Sequence, residues 1–465
     1  MTEQTKQRLR QRFEQILASQ DKRAQTIDDI ERMALLIREQ VGQAALEEMG
    51  SESQAEPDSV SNSVSNSVSD DEPASPCHSS EVATKVACSH CHRNAWFKGL
   101  RERTVQTLAG CLTLRRAYYH CRRCRAGFCP QDALLGIVPR QSCTRTLSQE
   151  ILALSACLPY EMAMATLGRL SCLRVSGRSA QRLCTGPAAE VVEAYVSERE
   201  GAMLPLAYGA KEQIPAHLPE PVVLYIQADG IQTPMADGSW REMKVGVVRA
   251  ELQDGREQMP ARYISHLGEA ATFGKHWEAL ALSCGSLKAQ CLSILADGAA
   301  WIWNLATTRF PKAVQILDFY HASEYVAAVA KDAFGEQEAA MKDWLSARLS
   351  ELKRSQWSAF WAAIEALGQP TLQSLLNLRT YFANHASRMH YAAYLKAGLC
   401  IGSGLAESSC KRIVTQRLKG AGMHWSAKGA QVIARLRAFL LGGEWNEFTN
   451  FWNGYRFRAP TSPLL

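Results

Sequence analysis

Two apolar runs of the same design set the tightest constraint on this chain. VVLYIQADG ends at Asp229-Gly230, and CLSILADG ends at Asp297-Gly298. Short apolar runs closed by a turn signal read as strands buried on both faces. Such a sheet needs helices to cover it. The neighbouring sequence offers both kinds of element. MKVGVVRA alternates at Met243, Val245 and Val247, and ARYISHL is a third strand candidate. Helix is expected around 272–283, then the strand CLSIL, a helix over AAWIWNLATTRF and a last strand, AVQILDFYH. This order predicts an α/β domain over 221–321. Residues 322–397 read as helical throughout, and 405–440 are helical again with a break at GAG. The expectation is therefore an all-helical insertion, 322–397, in a domain that resumes at 398–445.

The first half of the chain has a different texture. In residues 1–50, Ile27, Ile30, Met33, Ile37 and Val41 recur at helical spacing, and Thr26 with Asp29 has the spacing of a capping box. Such a helix can pack on its own protein or on another subunit. Residues 51–84, with SVSNSVSNSVSDDEPASP, hold seven acidic residues and no Lys or Arg. That composition cannot bury a core and predicts a disordered acidic linker. Residues 85–145 form a Cys-containing basic module. Residues 146–205 read as short helices, with Thr146 and Ser176 as caps and Pro159 as a break.

The chain's 465 residues suit two to four domains, so the expected class is multidomain α+β. No apolar run approaches the roughly 18 residues that span a bilayer, so no membrane partner is expected. MTEQTKQRLRQRFEQ has no apolar segment of the secretory kind. With that start, an odd count of 15 Cys argues for reduced thiols, buried or metal-bound, and a cytoplasmic location.

Cys88-Ser-His-Cys91 and Cys121-Arg-Arg-Cys124 supply two thiolates each from one tight turn. Four soft ligands in a tetrahedron suit structural Zn²⁺, with no position open to substrate. The strand-like TVQTLAGCLTLRRAYYHC between them would close a zinc ribbon, and Cys129 or His120 is an alternative fourth ligand. Arg115, Arg116, Arg122 and Arg123, interleaved with Trp96, Phe97, Tyr118 and Tyr119, suit a phosphate backbone. A helix-turn-helix over 146–186 would start its recognition helix at Ser176 and present Arg178 and Arg182.

Ligands collect at the carboxyl ends of strands in open α/β sheets. Asp229 and Asp297 are therefore candidate ligands of two Mg²⁺ (or Mn²⁺) ions, the equipment for phosphodiester chemistry. Glu407, in GSGLAESSCKR, opens a stretch without acids that carries Lys411, Arg412, Arg417 and Lys419. It is the candidate third ligand, and Glu324 is its rival. Asp318 and His321, in DFYH, would stand at the same sheet edge as auxiliary groups.

These motifs resemble bacterial insertion-sequence transposases of the ISKra type. The resemblance runs from about residue 85 to the C-terminus. It rests on CSHCHRNAWFKGLRERTVQTLAGCLTLRRAYYHCRRC, QADGIQTP, ILADGAAWIWNLA, QILDFYHASEY, LCIGSGLAESSCKR and RLKGAGMHWS. It implies a ribonuclease-H-like catalytic domain whose acidic triad is Asp229, Asp297 and Glu407. It makes Asp318 and His321 the acid-x-x-His pair of the wider Mutator-like group. The long separation of Asp297 and Glu407 fits the helical insertion. The function implied is DNA transposition: binding element ends, hydrolysing a phosphodiester and transferring the 3′-OH strand to target DNA. The partners implied are double-stranded DNA and at least one further subunit. Two alternatives stay open: a zinc-ribbon DNA-binding regulator without catalysis, and a nuclease of the same fold that cuts without joining.

Overall fold

The computed structural model describes residues 1–19, 27–55, 82–135, 137, 142–171, 173–209, 214–251 and 260–457. The chain divides into two compact units, one of residues 1–154, 160–183 and 453–465, the other of 155–159 and 184–452. No helix among the described residues is long and apolar enough to cross a membrane.

The first unit begins with two helices, α1 (Glu3–Ala18) and α2 (Ile27–Ala55), where a single helical segment is expected. Thr2 caps α1 by accepting from the Thr5 N–H at 3.2 Å. Arg8 and Arg12 of α1 pair with Glu48 and Glu47 of α2 at 3.2 and 2.7 Å. The proposed Thr26 cap and most of the 51–84 linker lie outside the described residues, though α2 itself runs on to Ala55. Behind them stands a four-stranded antiparallel sheet: β1 (Lys85–Ala87), β2 (Asn94–Thr107), β3 (Gly110–Cys121) and β4 (Gly127–Phe128), in that order. The side-chain amide of Gln43 on α2 bonds both backbone groups of Cys111, at 2.9 and 3.0 Å. Helix α2 thus packs on β3 of its own sheet, and α1 packs on α2.

Helices α3 (Pro130–Leu134), α4 (Arg145–Cys157), α5 (Tyr160–Ser171) and α6 (Gly177–Leu183) follow. Asp132 of α3 draws in Arg103 and Arg116 from the sheet. Ser176 caps α6 as expected, accepting from the Ser179 N–H at 3.2 Å.

In the second unit a π-helical turn, Cys184–Ala188, leads into α7 (Ala189–Met203). The sheet has five strands: β5 (Val223–Pro234), β6 (Trp240–Glu251), β7 (Arg262–Leu267), β8 (Cys291–Ala296) and β9 (Val314–Leu317). Their order is β7-β6-β5-β8-β9. Strands β5, β6 and β7 form an antiparallel meander, and β8 and β9 add in parallel to β5. Between the parallel strands run α8 (Ala270–Ser283) and α9 (Ala300–Arg309). The sheet core is dry: Tyr225, Ile226, Val247, Ile294, Phe273 and Trp277 are fully buried. Gly246 is required here, since a Cβ would come within 2.7 Å of the Trp277 ring.

The sequence expectation errs at one strand end. AVQILDFYH does not stay extended, because Asp318 caps α10 (Phe319–Phe334) and turns the chain helical at once. Four more helices follow: α11 (Glu338–Lys353), α12 (Trp357–Glu365), α13 (Gln373–His385) and α14 (Tyr391–Lys396). The helical run thus begins three residues before the expected insertion, and it belongs to the same compact unit as the sheet. The chain ends with α15 (Gly404–Cys410), a π-helical turn at Lys411–Thr415, α16 (Gln416–Leu418), α17 (Ala427–Leu441) and α18 (Trp445–Gly454). Gln431 on α17 covers the outer edge of β7, accepting from Leu267 N–H at 2.6 Å and donating to Ser265 O at 3.0 Å.

Candidate functional site

Four cysteines converge in the first unit. The sulfur atoms of Cys88, Cys91, Cys121 and Cys124 lie within 4.8 Å of one another, the only such group of three or more potential ligands among the described residues. Each pair comes from a turn with a left-handed residue, His92 and Arg125, both at φ 57°. The first turn is closed by Cys88 N–H to Arg93 O and His92 N–H to Cys88 O, the second by Cys121 N–H to Ala126 O. Backbone N–H groups of Cys124 and Arg123 lower the Cys121 thiol below its usual range. Such a cluster can hold a metal ion such as zinc. Cys129 and His120 lie outside it: Cys129 starts α3, and His120 stays in the β3 ladder.

The acidic residues of the second unit are placed by strand register. The parallel pairing of β5 with β8 ends at Gln227↔Leu295. Two residues further on, the chains reach Asp229 and Asp297 at the same height. Asp229 is not at the end of its strand, as expected, because β5 continues to Pro234 against β6. It does lie past the last parallel pair, at the carboxyl edge that matters. Burial and the nearby Asp297 raise the Asp229 carboxyl above its usual range. Two carboxylates held this close repel unless a proton or a cation lies between them.

Asp297 Oδ1 accepts from Gly298 and Ala299 N–H at 2.8 and 3.0 Å, ahead of α9. Its backbone oxygen accepts from the Tyr381 hydroxyl at 2.9 Å. Gly298 sits at φ 150°, and a Cβ there would meet the Tyr381 ring at 2.8 Å, so the Asp-Gly pair is a packing requirement as well as a turn.

Glu407 is on α15, and the thiol of Cys410, one turn on, lies beside Asp229. Glu407 lies three residues before Cys410, at the exposed margin of the helix face that Ala406, Ser409 and Cys410 bury. Its carboxylate is exposed and bound to Lys411 at 2.8 Å. Glu324 also faces solvent, 3.4 Å from Nδ1 of His321. The His321 ring lies edge-on to Tyr325 and Tyr381.

Asp318 is not an open active-site acid. It is nearly buried, Oδ1 accepts from Tyr320 and His321 N–H at 2.6 and 3.1 Å, and Oδ2 accepts from Ser403 N–H at 2.7 Å and from the Ser403 hydroxyl. With both oxygens engaged, its task is to cap α10 and tie it to the segment before α15.

Residues 79–343, more than half of the chain, match the uncharacterised protein family UPF0236. The chain belongs to that family. No curated protein matches it. The family stretch holds the four cysteines, the five strands of the second sheet, Asp229 and Asp297, and it stops within α11, before Glu407.

The basic residues divide into two groups. Arg115, Arg122, Arg123, Arg178, Arg182, Lys411, Arg412 and Lys419 are exposed. Arg116 and Arg417 are buried and held by protein groups, which corrects the expectation that they contact phosphate. Arg116 pairs with Asp132, and Arg417 donates to Ser155 O at 2.9 Å and lies 4.9 Å from the Trp425 ring.

Sequence reasoning missed Cys410 and the pair Glu242–Lys244. Lys244 is buried, donates to Glu242 at 2.6 Å and to Gly268 O at 3.0 Å, and stands over Trp301. The available signal was a lysine inside an otherwise apolar strand, MKVGVVRA.

Proposed function

We propose that this chain is a metal-dependent DNA transposase. Its second unit would be a ribonuclease-H-like catalytic domain, and its cysteine module a zinc ribbon that binds element ends. The observation that carries the reading is the register of β5 and β8, which sets Asp229 and Asp297 side by side at the carboxyl edge of a mixed sheet. The coupling of their charges supports it, since a close pair of carboxylates suits a cation.

When bound, two divalent ions would activate an attacking oxygen and stabilise a leaving oxygen. Asp229 and Asp297 would hold them, with Glu407 as third ligand after release from Lys411. Cys410, its thiol kept protonated by burial and by Asp229, stands beside that carboxylate. Tyr381 fixes the backbone from which Asp297 projects. Arg412 and Lys419 on the exposed side, and Arg115, Arg122, Arg123, Arg178 and Arg182 in the other unit, would bind the DNA backbone. At the cysteines, four thiolates with no further ligand suit a structural Zn²⁺. Cleaving two element ends together calls for a dimer or larger assembly on DNA.

The test is cleavage and strand transfer of labelled element-end DNA with Mg²⁺ or Mn²⁺, wild type beside Asp297→Ala. Cleaved and joined products in wild type, both lost in the variant with end binding intact, support the proposal. Cleavage without joining leaves a nuclease. One observation favours a second reading, a DNA-binding regulator without catalysis: Glu407 is engaged by Lys411 rather than by the aspartate pair. Tight binding with no metal-dependent cutting in either protein would decide for it.

A further inference from the structure

The β5–β6 hairpin ends in a rigid tip whose largest side chain faces solvent. Trp240, paired with Pro234 in the last step of the ladder, is 59% exposed. An exposed Trp in a well-ordered ladder contributes little to the fold, so its use lies outside the core. The ammonium of Lys419 stands 5.7 Å from the ring centroid.

The tip is held in place from below. Ala236 N–H donates to Trp425 O at 2.8 Å, and Trp425 N–H to Pro234 O at 3.2 Å. The buried Trp425 ring donates to Leu418 O at 2.9 Å and lies against Arg417. Asp237 closes the turn, accepting from Ser239 N–H at 3.0 Å, and pairs with Arg241 at 3.1 Å. That pair neutralises itself. Lys419, beside the ring, and Lys428, in the first turn of α17, are both exposed.

An exposed aromatic ring on a fixed support, with a cation beside it, is what sequence-tolerant binding of single-stranded nucleic acid uses. Trp240 stands beyond the acidic pair on the same hairpin, an odd number of residues from Val245, the partner of Asp229, and so on the opposite face. Asp229 pairs with Val245, five residues before which stands Trp240, so the ring is on the order of 17 Å further along the hairpin at the usual strand rise.

We propose that the hairpin tip is a single-stranded DNA site in which Trp240 stacks on one base and Lys419 meets the adjacent phosphate. Resting on the reading of Asp229 and Asp297 as the cleaving pair, it places that base several nucleotides from the scissile phosphate, with the strand passing round the hairpin. Its occupant is the unpaired flank beside the cut, not the duplex bound by the cysteine module.

The experiment uses the full chain and fluorescein-labelled DNA carrying 5-iododeoxyuridine at successive positions of a single-stranded flank. Photocrosslinking to Trp240 is expected only at flank positions several nucleotides from the cut, not beside it. Trp240→Ala should weaken single-strand binding roughly 5- to 100-fold, from the usual worth of one base–aromatic stack. Trp240→Phe should restore most of it, Lys419→Gln should weaken it less, and Asp297→Ala should bind as wild type. Unchanged affinity and crosslinking in Trp240→Ala and Lys419→Gln would overturn the site, as would binding confined to RNA. A wild type that crosslinks at Trp240 but never cuts supports the site and removes the cleavage reading alone. One that cuts while Trp240→Ala is normal removes the site alone.

Discussion

Arg417 and Lys419 are two residues apart in one basic stretch, and burial gives them opposite roles. The Arg417 guanidinium is almost wholly covered, donates to Ser155 O and stacks on Trp425. Lys419 is exposed over Trp240. Arg417→Ala removes packing and strands a buried carbonyl, so about 2–4 kcal/mol of stability should go. Thermal melting reads that loss, and a melt like wild type with weakened DNA binding would return Arg417 to the phosphate contacts. Asp318 sets up a similar contrast. With both oxygens accepting hydrogen bonds at the start of α10, Asp318→Ala should cost about 1–2 kcal/mol as a lost cap. A variant that melts normally yet loses metal-dependent cleavage would instead make Asp318 an active-site acid. Residue types alone could not separate these roles. A basic run tells nothing of which arginine turns inward, and Asp318-Phe-Tyr-His321 reads equally as a strand end or a capped helix start until Ser403, far off in sequence, supplies the missing donor.

At the level of elements, local patterns were legible and long-range pairings were not. The knuckles at Cys88–Cys91 and Cys121–Cys124 could be read from spacing alone, because ligand geometry lies within each short turn. The strands VVLYI and CLSIL could be read because burial on both faces demands continuous apolar runs, and the parallel register that aligns Asp229 with Asp297 was implied only by their shared ending. Cys410 was illegible, since its contact with Asp229 depends on where α15 packs. The cysteine cluster carries its own prediction. Metal analysis of the purified chain should find one Zn²⁺ per molecule, and removal by chelator should melt the β1–β4 sheet, as should Cys121→Ser. A metal-free chain whose sheet melts unchanged would refute the assignment. Another element, the tie between α7, α8 and α17, predicts a pH response. His276 accepts from Arg435 at Nε2, 3.0 Å away, so its Nδ1 carries the hydrogen donated to Glu200 at 2.6 Å. Burial first, then Arg435, His266, Arg199 and Lys275, push His276 down to about 3. The neighbouring His266 falls to about 4 for the same leading reason, burial. Both are neutral when folded and take up protons near pH 6.5 when unfolded. Their stability contribution is therefore complete above pH 6.5 and is lost as pH falls from there towards 4. Glu200, raised by burial, titrates in the opposite sense and blunts the lower part of the fall. Melting temperature should drop across that window, and His276→Gln should flatten the drop. A flat wild-type profile would contradict the buried neutral imidazole.

In the whole molecule, the chain leaves the first unit after α6, builds the second, and returns to the first for its last residues. The returning segment has specific partners there. Arg145 of α4 donates to Tyr455 O at 2.7 Å and lies 5.4 Å from the Phe457 ring, and Gln149 donates to Asn453 at 2.9 Å. Nothing in the sequence marks this closure, because residues 145–149 and 453–457 are ordinary local patterns joined only by the path of the chain. These three contacts, a charge-assisted hydrogen bond, a cation–π contact and an amide pair, are together worth about 2–4 kcal/mol. A chain stopped after Trp452 keeps every described element of the second sheet and loses these three contacts. Its first unit should become less stable while the second is unchanged. Amide hydrogen exchange resolves the two: α4 amides should exchange roughly 30- to 1000-fold faster, the range those energies convert to, and β5 and β8 amides should not change. Equal acceleration in both sheets would mean that the two units unfold as one, and the last residues would then stabilise the whole chain rather than the cysteine-bearing unit to which they return.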